Sequence, residues 1–147
     1  MNRMNEISAM TDIRWKQRFQ NFEKALTVFK DRCSDVKEHP KGSKYHDAFQ
    51  MALVQAFEIL IELSWKVLKD YLENEGYTEV QTGKRAFRQA FQDGIIENGE
   101  VWLKALEIRN LTSHIYDVDL LEDLNVFVVE SFLPEVRKLH DTMQAEL

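Results

Sequence analysis

Residues 12–38 read DIRWKQRFQNFEKALTVFKDRCSDVKE, with apolar members at Trp15, Phe19, Phe22, Leu26, Phe29, Cys33 and Val36. These positions advance in alternating steps of four and three, which match the 3.6-residue turn of an α-helix and lay the side chains along one stripe. The stripe predicts a long amphipathic helix over residues 12–38. Thr11 or Asp12 is placed to cap its start, and Pro40 ends it because proline disfavours helical backbone in the residue before it. So regular a stripe suits either the core of a bundle or the seam of a dimer. Residues 1–11 lie outside the pattern and are expected to form a flexible tail.

Working outward, a second long helix is expected over 44–75, with Phe49, Leu53, Phe57, Leu60, Ile61 and Leu68 inward and Gln55, Glu58, Glu62 and Lys66 on the opposite side. A shorter helix follows over 84–93, with Ala86, Phe87, Ala90 and Phe91 inward and Gly94 as its exit. Asn98 is a good N-cap for a fourth helix, with Glu100 in its first turn where the helix dipole favours negative charge. That helix runs to about His114. Asp117-Val118-Asp119 reads as a break and a new cap, and the last helix then places Leu120, Leu124, Phe127, Val128, Phe132, Val136, Leu139 and Met143 inward. Pro134 should kink it, because proline cannot donate to the carbonyl of Glu130. Short connections make consecutive helices antiparallel neighbours. The expected fold is all-α, an antiparallel four-helix up-and-down bundle with one additional short helix, in a single domain over residues 1–147.

Composition agrees. Five glycines and two prolines in 147 residues argue against a turn-rich β fold. One cysteine excludes an internal disulfide, the N-terminus lacks the apolar run of a signal peptide, and no apolar stretch approaches the about 18 residues of a membrane span. A cytoplasmic protein with no membrane association is expected. The net charge of −6 argues against a nucleic-acid binder that works through overall positive charge. Its distribution is uneven, however: residues 1–41 and 83–116 carry +3 and +1, whereas 42–82 and 117–147 carry −4 and −6. The first helix and the stretch from Lys84, Arg85 and Arg88 to Arg109 can therefore present positive surface.

The chain has no glycine-rich phosphate loop, no nucleophile elbow and no His/Cys cluster with metal spacing, so no metal or cofactor is called for. Cys33 lies on the apolar stripe and reads as a core thiol. His39, His46 and His140 read as surface residues. Chemistry concentrates in Arg109-Asn110-Leu111-Thr112-Ser113-His114-Ile115-Tyr116. On a regular helix, at about 100° per residue, Arg109, Ser113 and Tyr116 share one direction while Asn110 and His114 share another. Arg109 and His114 converge only if the helix loosens at its end or a second subunit supplies one of them, which favours a dimeric site. A His that titrates near neutrality and a permanently charged Arg suit a phosphodiester: together they can promote attack of a ribose 2′-hydroxyl on the adjacent phosphorus without metal. The alternative is structural, with Arg109 paired to Glu107 or to an acid of another helix and His114 capping a carbonyl.

Arg109-x4-His114-x-Tyr116 resembles the R-x4-H-x-Y motif of HEPN-domain proteins, in particular the branch of nucleotidyltransferase substrate-binding proteins or HepT-like toxins. Gln55-Ala56-Phe57-Glu58, Glu62-Leu63-Ser64-Trp65-Lys66 and Asp70-Tyr71-Leu72-Glu73 look like that family's second helix. Arg88-Gln89-Ala90-Phe91 with Gly94-Ile95-Ile96 looks like its third, and Asn98-Gly99-Glu100-Val101-Trp102 like the start of its fourth. The resemblance covers residues 12–140 and departs at Thr82-Gly83, where relatives often carry Ser-Pro. It implies a HEPN-like bundle that forms a homodimer and works beside a small, separately encoded nucleotidyltransferase. Arg109 and His114 would be the catalytic pair of a metal-independent endoribonuclease toxin, with Asn110 and Ser113 binding RNA or nucleotide. Tyr116 would be the hydroxyl that the partner modifies with AMP. The alternative within the same resemblance is a non-catalytic nucleotide- or substrate-binding subunit of the nucleotidyltransferase.

Overall fold

The computed structural model describes residues 3–112 and 117–147, which form helices and short connections with no strand among them. Helix α1 spans Arg3–Glu38, α2 His46–Asn74, α3 Gly83–Gln92 and α4 Gly99–Thr112. The last helix is continuous but changes pitch: α5 (Val118–Phe127) passes through a π-helical turn, Val128–Phe132, into α6 (Leu133–Gln144).

Cross-helix contacts define the topology. Thr11 meets Asn74, Arg14 meets Glu73 and Arg18 meets Asp70, so one number falls as the other rises and α1 and α2 are antiparallel. Glu23 with His140 and Phe29 with Phe132 set α1 antiparallel to the last helix, and Trp102 with Phe132 and Lys104 with Phe127 do the same for α4. His46 with Glu122 and Gln50 with Asn125 show α2 and α5 running the same way, as diagonal members of an up-and-down bundle must. Short α3 lies against α2 and α4. Its first residue is Gly83. A Cβ there would come within 3.2 Å of Leu106 and Trp65, so the missing side chain lets α3 start hard against its neighbours.

The expected α1 stripe is the core: Trp15, Phe19, Phe22, Leu26, Phe29 and Cys33 are buried. Phe132 lies at the centre, with its ring edge-to-face against Phe29 (5.7 Å), Phe57 (5.1 Å) and Trp102 (5.3 Å), one aromatic from each of α1, α2 and α4. Asn98 and Asp117 cap as expected, accepting from Val101 N (3.3 Å) and Asp119 N (3.0 Å), and Thr82 caps α3 by accepting from Arg85 N (3.2 Å).

Four expectations are corrected. Residues 3–11 are helical, not a tail. Thr11 and Asp12 therefore lie inside α1, where Thr11 bonds Asn74 (2.7 Å) and Asp12 accepts from Trp15 Nε1 (2.9 Å). Phe91 is 53% exposed, pointing away from the core that its neighbour Ala90 joins. The early register of the last helix is shifted by one residue: Leu120 is exposed, and Leu121 and Asn125 are buried with Val128, Phe132, Val136, Leu139 and Met143. Two successive four-residue steps, 128 to 132 to 136, mark one extra residue, and the π-helical turn absorbs it. Pro134 is accommodated in the same way, since Leu133 N donates to Val128 O instead of continuing the α pattern.

Candidate functional site

Arg109 projects from the last turn of α4 toward α2, its side chain 28% exposed. Its Nη1 lies 3.5 Å from Glu58 Oε2 and its Nε 3.8 Å from Glu62 Oε1. The two glutamates stand one turn apart on the polar side of α2, and Glu62 is itself held by Trp65 Nε1, which donates to its Oε2 at 3.2 Å. The guanidinium is thus oriented between two carboxylates of α2, acids of another helix as the structural alternative had it. The arrangement fixes a permanent cation at the helix end while leaving it partly open to solvent. Asn110 follows it on the exposed surface. Ser113, His114 and Tyr116 lie outside the described residues.

The segment carrying those three residues is bracketed by described structure. On one side is Arg109 with its glutamates; on the other is the Asp117 cap of α5, whose Glu122 lies 2.7 Å from Nε2 of His46. His46 is not a surface residue: it is 8% exposed, and its other ring nitrogen lies 2.8 Å from the carbonyl of His39. Both nitrogens face acceptors, so only the protonated imidazolium donates at both. The His39 carbonyl and then the Glu122 carboxylate hold the His46 pKa above its usual value, and His46 followed by Lys41 holds Glu122 below the usual carboxylate range. This contact ties the start of α2 to α5. His140, also expected at the surface, stacks on Phe19 and lies 2.7 Å from Glu23. Cys33 is buried, and that burial pushes its thiol up to about 12, against the opposing pull of Arg137, so the core reading holds.

Sequence reasoning did not single out Glu58 and Glu62 as partners of Arg109. Their signal was an i, i+4 acidic pair on a helix face otherwise free to carry either sign. Among the described residues no group of His, Cys, Asp and Glu is arranged to hold a metal ion, and no helix is long and apolar enough to cross a membrane.

Comparison with known proteins agrees with this architecture. The solved structure of HI0074 from Haemophilus influenzae, described as the fold of a substrate-binding domain of a nucleotidyltransferase, aligns with a TM-score of 0.63 and 25% identity over 91% of this chain and 98% of that one. A toxin–antitoxin MntA–HpeT mutant matches with a TM-score of 0.65 over 84% of this chain and 97% of that one; at 16% identity this likeness concerns the fold. In sequence, the chain is 29% identical over 93 residues to the "Probable ribonuclease HepT" of Haemophilus influenzae, an alignment spanning 58% of this chain and 64% of that protein. The model of the family "Nucleotidyltransferase substrate binding protein like" matches residues 17–145, which is nearly the whole bundle. The chain belongs to that family, within the HEPN/HepT-like group that the Arg109–Tyr116 motif had indicated.

Proposed function

We propose that this chain is the HEPN subunit of a two-component system with a separate minimal nucleotidyltransferase, and that it cleaves RNA without metal at a groove containing Arg109 and His114. The observation that carries the reading is the placement of Arg109: a partly open guanidinium, aimed by Glu58 and Glu62, five residues before His114 in a chain of this family. Arg109 binds the scissile phosphate and stabilises the charge that develops on it. His114 takes the proton of the ribose 2′-hydroxyl as the 2′-oxygen bonds to phosphorus; the bond to the 5′-oxygen breaks and that oxygen leaves with a proton. A homodimer supplies a second His114 for the second transfer, and Asn110 and Ser113 hold the flanking nucleotide. The partner silences the subunit by joining the α-phosphorus of ATP to the Tyr116 oxygen with release of pyrophosphate, adding charge and bulk beside Arg109.

Incubation of the purified protein with RNA in EDTA tests this. Cleavage is expected from the wild type and at most weakly from His114→Ala or Arg109→Ala; no cleavage, or equal cleavage by His114→Ala, overturns it. Co-expression with a cognate nucleotidyltransferase should add the mass of AMP at Tyr116. A second reading, a non-catalytic subunit binding nucleotide for the nucleotidyltransferase, rests on the same partly open guanidinium, which can hold a phosphate without a bond being broken. It predicts nucleotide affinity that Arg109→Ala removes, with no RNA cleavage.

A further inference from the structure

On another face of the bundle, a trough of about 390 Å³ runs between the C-terminal half of α1 and the last helix, which it follows from Glu122 to Arg137, about 20 Å at 1.5 Å per residue. That volume spread over that length accommodates one row of side chains, and is too narrow to take in the whole of a helix about 10 Å across. Its walls are aliphatic: Val36 from α1, with Val126, Val129 and Leu133 opposite. Val126 stands at the open edge, 54% exposed. The contacts of Phe29 with Phe132 and of Lys41 with Glu122 set the register of the two helices, so Lys30 lies level with Leu133 and Lys37 with Val126. Arg137 stands at the far end. Lys30, Lys37 and Arg137 are in no ion pair among the described residues. Of the two acids on the trough, Glu122 is engaged by His46 at 2.7 Å and Lys41 at 3.7 Å, which leaves Glu130 alone against three cations. The rim is thus positive on a chain whose net charge is −6.

We infer that this trough docks an acidic amphipathic helix of a partner protein, its apolar row in the trough and its carboxylates against Lys30, Lys37 and Arg137. A helix bound in this way inserts side chains at i, i+3 or i+4, and i+7, a row of about 10 Å. The interval from Lys30 to Lys37 on α1 has the same length, so two turns of the ligand lie between the two lysines. Charge selects the partner: a basic helix would set like charges along the rim, whereas an acidic one pairs cations that the fold itself leaves unpaired. A second copy placed face to face would oppose trough to trough and leave both unfilled. The surface is separate from Arg109 and does not depend on the function proposed there.

The test is fluorescence anisotropy of the full chain with labelled helical peptides of about four turns, leucine in a one-sided row and glutamate on both flanks. Two control peptides replace every glutamate by lysine or every leucine by serine. Saturable binding of the leucine–glutamate peptide is expected, weakened by added salt, with neither control binding. Lys37→Gln/Arg137→Gln should weaken it by about tenfold, as loss of two rim ion pairs implies. Val126→Asn, a change at an exposed position, should abolish it while circular dichroism shows the fold intact. Arg109→Ala should leave it unchanged. The inference is overturned if the leucine–glutamate peptide does not bind, if the lysine-flanked peptide binds as well, or if the two trough variants bind as the wild type does. Sedimentation of the chain alone adds one more arm: a self-association that Val126→Asn abolishes would seat a second copy in the trough and overturn the inference too. Failure of RNA cleavage bears only on the function proposed above.

Discussion

Replacing Phe132 with alanine tests the account of the core most directly. This side chain is fully buried and meets Phe29, Phe57 and Trp102 edge-to-face at 5.1 to 5.7 Å, so one truncation loosens the last helix from α1, α2 and α4 together. Phe→Ala in a core costs about 3 to 5 kcal/mol from lost transfer and the cavity left behind. Three aromatic contacts, each worth about 0.5 to 1.5 kcal/mol beyond burial, put Phe132 at the upper end, near about 5 kcal/mol. Against a total stability of about 5 to 15 kcal/mol, that loss leaves a marginal protein. For a chain of this size the melting temperature should fall by roughly 10 to 20 °C, at about 2 to 4 °C per kcal/mol. Urea unfolding followed by Trp fluorescence measures the change. Phe132→Leu, which keeps most of the volume and loses the ring contacts, should cost about 1 to 2 kcal/mol. The reasoning fails if Phe132→Ala costs under about 2 kcal/mol, a value ordinary for many single substitutions. It fails equally if it costs no more than Phe127→Ala on the same helix, where the ring is only half-buried.

Three further outcomes are expected. His46 and Glu122 titrate in opposite directions. With the His46 pKa raised, its contribution is complete below its ordinary value near 6.5 and disappears as pH rises through the folded value; with the Glu122 pKa lowered, its contribution is present above about 4.5 and disappears as pH falls through the folded value. Melting temperature measured from pH 5 to 9 should therefore decline on the alkaline side in the wild type and decline less in His46→Gln; superimposable profiles would refute the link. Asp70 is fully buried and its Oδ2 accepts from Arg18 Nε at 3.0 Å, so Arg18→Leu, by leaving a buried charge short of a partner, should cost about 2 to 4 kcal/mol. Arg18→Leu/Asp70→Leu should recover most of that in a denaturant titration. Thr82→Ala removes the α3 cap and should cost about 1 kcal/mol by the same measurement, unless Arg85 N finds another acceptor.

The legible parts of the fold were those written in local periodicity and capping chemistry. The α1 stripe needed only its own spacing, and Asn98 and Asp117 announced helix starts because their short side chains bond backbone two or three residues on. Tertiary choices were less visible. Leu120 and Leu121 are equally apolar, and which faces inward depends on an extra residue taken up ten positions later beside Pro134. His46 reads as surface until α5 brings Glu122 to it from 76 residues away. At the candidate site, Arg109 was evident from its motif, but its glutamates were not: a charge on the polar face of α2 finds its partner only when α4 packs against that face. The residues of the motif beyond Thr112 remain sequence-level assignments.

The π-helical turn at Val128–Phe132 also limits how this gene can change length. Most helices in such a bundle must conserve their residue count exactly between contacts, whereas this one holds a single residue in reserve. Deleting one residue inside the turn would return the helix to uniform α pitch with both ends keeping their faces, whereas a deletion elsewhere in the last helix would swing one end relative to the other by about 100°. Either Leu121 and Asn125 or Leu139 and Met143 would then leave the core. The turn thus sets the relative rotation of the two ends of the helix: the end that follows the His114–Tyr116 segment and the end that seats His140 against α1.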